Sequence, residues 1–98
     1  MGPEINTRRW ELDSWLKHLL IASTELKCCE MERLFIEVAL RYLYTEAKNN
    51  RDRRDHASIR RVWILAHPYL EKHQLLNPFK GDVYLKNSLN FFVRNDFF

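Results

Sequence analysis

Residues Thr24 to Lys48 read TELKCCEMERLFIEVALRYLYTEAK. Leu34, Phe35, Ile36, Val38, Ala39, Leu40, Tyr42, Leu43 and Ala47 recur here at the three- and four-residue steps of an α-helix. On a helical wheel they cover well over half of the circumference. Glu30, Arg33, Glu37, Arg41 and Lys48 fill the narrow charged stripe that remains, with Glu37 and Arg41 in the favourable i,i+4 order. The pattern predicts one helix from Thr24 or Glu25 to Lys48, with Ser23 or Thr24 as its N-cap. A helix apolar on so much of its surface has to be covered on several sides. It is therefore the central helix of a small domain, or it lies in a dimer interface. Phe35 and Leu43 are its expected core anchors.

Towards the N-terminus, Leu12, Trp15, Leu16, Leu19, Ser23 and Leu26 share one face of a first helix expected from about Glu4 to Ser23. Towards the C-terminus, Asn49 to Asp55 (NNRDRRD) has no apolar residue and reads as a solvated loop. A third helix starts near Asp55 or Ser58 and buries Ile59, Val62, Trp63, Ala66 and Leu70. Pro68 lacks a backbone donor and disfavours helix at His67, which predicts a break or kink and a short fourth helix over Tyr69–Leu76. Asn77-Pro78 and Lys80-Gly81-Asp82 form a turn region. Asp82 then caps a last helix with Leu85, Leu89, Phe92 and Val93 inward; the alternative is a hairpin of Val83–Leu85 against Leu89–Val93. The expected fold is all-α: a compact four- or five-helix domain over residues 1–98 with a central second helix.

Composition agrees with that class. The 98 residues are 46% hydrophobic and 13% aromatic, too apolar for disorder, and their 2 Gly and 3 Pro are few for the turns of an all-β protein. A chain this long buries roughly 65% of its unfolded surface, enough for one core without staples. No apolar run approaches the ~20 residues that span a bilayer. Glu11 and Asp13 interrupt any secretory h-region after Arg8, Arg9 and Trp10, and Asn6 stands where an acylation signal has Ser or Thr. Adjacent Cys28 and Cys29, placed in the second helix, cannot reach disulfide geometry and read as reduced and buried. An intracellular protein, cytoplasmic or nuclear, is expected.

No metal-ligand spacing, Gly-rich phosphate loop or nucleophile elbow occurs. His67 and His73 lie six apart around Pro68, poor geometry for two ligands on one helix. The expectation is a protein-binding or assembly module that self-associates, with no cofactor, no metal and no catalytic set. Trp10, Ile21, Tyr84 and Phe91 fall outside the apolar stripes of their helices and are the candidate partner-binding residues. The net charge of +3 is mild. Arg51, Arg53, Arg54, Arg60 and Arg61 cluster on the loop and the start of the third helix, and give the alternative reading, contact with nucleic-acid phosphates. Asp52 and Asp55 dilute that run.

The segment from Arg60 to Tyr69, RRVWILAHPY, resembles the Arg-x4–6-His motif of HEPN ribonucleases, some of which continue the His with x-Tyr, as His67-Pro68-Tyr69 does. Arg51 to His56 has the same spacing with a polar residue after the Arg; Arg61 is followed instead by Val62. The resemblance implies an all-helical, usually dimeric protein whose Arg and His cleave RNA without a metal at the dimer interface. It is the third reading.

Overall fold

Asp55 and Asp82 each accept a hydrogen bond from the backbone N–H three residues on, Ser58 at 3.1 Å and Leu85 at 2.9 Å, and so start two of the helices. The computed structural model describes residues 11–94. Its helices are α1 (Leu12–Ser23), α2 (Glu30–Lys48), α3 (His56–Lys72) and α4 (Val83–Val93), with single 3-10 turns at Arg51–Arg53 and Asn77–Phe79. The C-terminal segment is thus helix and not hairpin, as its Asp cap and its spacing favour. Positions 1–10 and 95–98 lie outside the described residues, and with them the Glu4 start, Arg8, Arg9, Trp10 and the terminal Phe97 and Phe98.

α1 packs on α2, α2 on α3, α3 on α4, and α4 returns to α1, an up-and-down ring of four. Each helix gives one stripe to a common core: Trp15, Leu16 and Leu19; Ile36, Leu40 and Leu43; Ile59, Trp63 and Leu70; Leu85, Phe92 and Val93. Phe79 plugs the α1–α4 end, its ring edge-on to Trp15 at 6.0 Å, while Trp15 tilts against Trp63 at 6.2 Å.

Three expectations change. The first is where α2 begins. It starts at Glu30, with Cys29 Sγ accepting from Glu32 N–H at 3.4 Å. Ser23 and Thr24 cannot cap it, because their hydroxyls donate back to the Leu20 and Ile21 carbonyls at the end of α1. Both thiols therefore fall in or beside the inter-helix linker, Cys28 half-buried and Cys29 exposed, instead of buried inside a helix.

The second is Pro68, which lies inside α3 without ending it, so four helices stand where five were allowed. Pro68 and Ile64 are exposed. The carbonyl that loses its helical donor, that of Ile64, thus belongs to the exposed side of α3, where solvent can take the place of the missing donor. α3 ends instead at Lys72 and is closed by Gln74, whose left-handed backbone (φ 59°) lets Gln74 and Leu75 N–H bond to the Glu71 and Leu70 carbonyls. That is a Schellman closure made without glycine.

The third is coverage. α2 is covered by α1 and α3 along one side only. Leu43 is 1% exposed, but Met31 is 78%, Val38 61% and Phe35 38%. Its apolar circumference is two stripes, one inside and one in water. Glu37 also pairs with Arg33 (3.6 Å) and not with Arg41.

Candidate functional site

The outward stripe of α2 consists of Met31, Leu34, Phe35 and Val38, one to two turns apart, with half-buried Tyr42 completing it. Burial, and then the Glu46 carboxylate, raises the Tyr42 phenol above its ordinary pKa. α3 extends the surface: Phe35 meets Tyr69 edge-on, 5.2 Å between centroids, and Leu65 lies one turn before Tyr69 and is exposed. The surface is apolar on two helices and continuous at the Phe35–Tyr69 contact. The sequence shows these residues as apolar; it does not show that they face water.

Ile21, Tyr84 and Phe91 are also exposed. Ile21 stands on the side of α1 away from its buried stripe. Tyr84 and Phe91, seven apart, share the outer side of α4.

The arginine cluster does not form one patch. Arg54 turns inward: Nε donates to the Glu46 and Asn49 carbonyls (3.1 and 3.2 Å) and Nη2 to the Ala47 carbonyl (2.8 Å). These carbonyls lie in the last turn and cap of α2, where Glu46 also accepts from Asn49 N–H at 3.1 Å, so Arg54 is a C-terminal cap brought from the next loop. Arg60 Nη1 donates to the Arg94 carbonyl at 3.3 Å. Arg60 and Arg61 border a shallow pocket with Ile64 and Leu65, and Arg53 is exposed on its turn.

Arg51 and Arg54 instead border a cleft of about 540 Å³ between the 49–55 loop and α4, together with His56, Ser88 and Phe91. Arg94, which no local signal connects to the cluster, joins them there. The Arg51 guanidinium lies 4.9 Å over the Phe91 ring. His56 Nδ1 lies 3.1 Å from the Phe92 carbonyl; since a carbonyl only accepts, Nδ1 carries a proton. Asp55, which caps α3, is held below its ordinary pKa by the Ser58 hydroxyl and N–H. Of the two Arg-x4–6-His segments, Arg51 and His56 share this cleft. Arg61 and His67 line different pockets, His67 packing on Trp63 at 5.2 Å.

A third group clamps the other end of the α2–α3 pair. Glu32 accepts from Lys72 Nζ at 3.1 and 2.9 Å and lies 2.9 Å from His73 Nε2. The Lys72 bond, then the His73 bond, holds the Glu32 carboxyl below its ordinary pKa, and Glu32 raises that of Lys72. A second cavity of about 370 Å³ lies between Trp15, Trp63 and the 76–90 segment. The buried Trp15 Nε1 makes no hydrogen bond among the described residues. Among those residues no three metal-ligating side chains gather, and no helix is long and apolar enough to cross a membrane.

No family model matches the chain, and no curated protein or solved structure matches it.

Proposed function

We propose that this chain is an assembly module that pairs with a second copy of itself through the α2–α3 face. The observation that carries the reading is the exposed stripe of Met31, Leu34, Phe35 and Val38, joined to Tyr69 and Leu65. A face of large apolar side chains on two adjacent helices gains by leaving water, and closed two-fold pairs remove such surface without open polymers. The arrangement along α2 favours a copy of itself as the occupant. About a point between Ile36 and Glu37, Met31 mirrors Tyr42 and Phe35 mirrors Val38. An antiparallel pair of α2 helices centred there sets apolar residues against each other. Exposed Glu30 and Arg41 sit on the same border of the stripe, and this register brings each within a turn of its opposite charge on the other copy. Ile21 and Tyr84 are further exposed apolar residues for a different protein partner. The unpaired Cys28 and Cys29 fit an intracellular setting, cytoplasmic or nuclear.

Light scattering across a concentration series tests the reading. The wild-type chain is expected to be dimeric and Val38→Glu monomeric, with the same helix content by circular dichroism. Glu30→Arg should weaken the dimer and the double change Glu30→Arg/Arg41→Glu restore it. A wild-type chain that stays monomeric at the highest concentration reached ends the proposal.

A further inference from the structure

The cleft between the 49–55 loop and α4 is chemically unlike the α2–α3 face. Three guanidinium groups, Arg51, Arg54 and Arg94, border it against one carboxylate, Asp52. Arg54 is committed to the end of α2, where its charge remains but Nε and Nη2 already donate to carbonyls. The side chains of Arg51 and Arg94 and the Ser88 hydroxyl donate to nothing among the described residues. They are donors suited to the oxygens of an anion, and arginine suits phosphate in particular. Beside them Phe91 is 63% exposed and carries the flat Arg51 guanidinium on its ring. An aromatic ring and a guanidinium plane are the two surfaces on which nucleobases stack.

The walls are held in advance. Arg54 ties the loop to α2, His56 donates to the Phe92 carbonyl, and Arg60 donates to the Arg94 carbonyl, so loop, α3 and α4 meet at fixed positions. The volume of about 540 Å³ lies within the roughly 300–1,000 Å³ of ligand clefts. The geometry points to this cleft as a binding site for a nucleotide unit, a phosphate joined to a planar base. The phosphate lies against Arg51, Arg94 and Ser88, and the base against the Arg51–Phe91 stack. Such a unit comes either free or within a single strand. Arg53 and Arg61 stand outside the cleft and take no part, which separates this site from a general basic patch.

The test uses the full chain at low salt, a fluorescein-labelled oligouridylate read by anisotropy, and unlabelled AMP as competitor. Saturable binding is expected, weakening steeply with salt. Arg94→Glu, Arg51→Glu and Phe91→Ala should each weaken it about tenfold or more, and the charge-matched Arg61→Glu less than about twofold. Circular dichroism checks that each variant keeps its helices. Displacement by AMP assigns the site to a free nucleotide, and failure of AMP beside firm strand binding assigns it to a unit within a strand; both outcomes support the site. Three outcomes overturn it: no binding at low salt, equal loss in Arg61→Glu, or displacement by polyglutamate as effective as by unlabelled strand.

Discussion

Phe35 and Tyr69 meet edge to face across the seam of α2 and α3, their centroids 5.2 Å apart at 62°, and each keeps more than a third of its surface in water, 38% and 36%. The pair binds the two helices from outside the core. Leu43, two turns along α2 on its inner side, is 1% exposed. Edge-on aromatic pairs contribute about 0.5–1.5 kcal/mol, whereas emptying a leucine site in a core costs roughly 2–5 kcal/mol. In urea at low protein concentration, Leu43→Ala should therefore lose several times as much stability as Phe35→Ala. The reverse order would place Phe35 in the core.

Arg54 is expected to matter for stability and Arg53 not. Arg54→Ala removes the donor to the Ala47 carbonyl and both bonds from Nε, leaving the end of α2 to water. Bonds from a charged donor contribute about 1.5–3 kcal/mol each in favourable settings. The site is half-buried, so a total loss of about 1–3 kcal/mol is expected by thermal melting. Arg53→Ala should melt within about 0.5 kcal/mol of wild type. Equal effects would show that Arg54 is only a solvated loop charge.

Gln74→Gly should stabilise the chain. Gln74 holds φ at 59° to close α3, a conformation in which a side chain costs roughly 1–2 kcal/mol and glycine costs little. Part of the gain is lost to the greater freedom of glycine in the unfolded chain, leaving a rise of about 0.5–1 kcal/mol. Differential scanning calorimetry reads it as a higher Tm; a lower Tm would show that the Gln74 side chain stabilises the fold through contacts of its own.

The Glu32–Lys72–His73 clamp predicts how stability follows pH. Glu32 is held below its ordinary value of 4.5, so its contribution is present above that value and is lost as pH falls through its lower folded value. Lys72 is raised above its ordinary 10.5, so its contribution is present below that value and is lost as pH rises through its higher folded value. Between those limits Glu32→Gln should melt below wild type. The gap should shrink on acidification until both forms carry a neutral side chain at position 32. A gap that stays constant from neutral pH to strong acid would remove the ion pair from the account.

Much of the architecture is local, and the sequence by itself determined it. Period and caps are properties of a few consecutive residues. Asp55 and Asp82 announce α3 and α4, and the stripes Trp15–Leu16–Leu19, Ile59–Trp63–Ala66–Leu70 and Leu85–Phe92–Val93 lie inside as their spacing requires. α2 was underdetermined for the same reason. Periodicity says which residues share a face, but not whether a neighbour covers that face. With apolar residues nearly all round, only the packing of α1 and α3 decided that Ile36, Leu40 and Leu43 go in while Met31, Phe35 and Val38 stay out. The basic cluster divided on the same principle. In sequence Arg54 is one of several like charges. Its role follows from carbonyls seven and eight residues away that the turn of the chain brings to its fork. Arg94 is distant in sequence and carries no local signal. It reaches the cleft because α4 runs back along α3 and ends beside the start of that helix. Pro68 breaks a rule of local propensity and α3 continues, with the lost bond on the exposed side of the helix. Local chemistry chose the helices, and the contacts between them chose which side chains remain at the surface to bind.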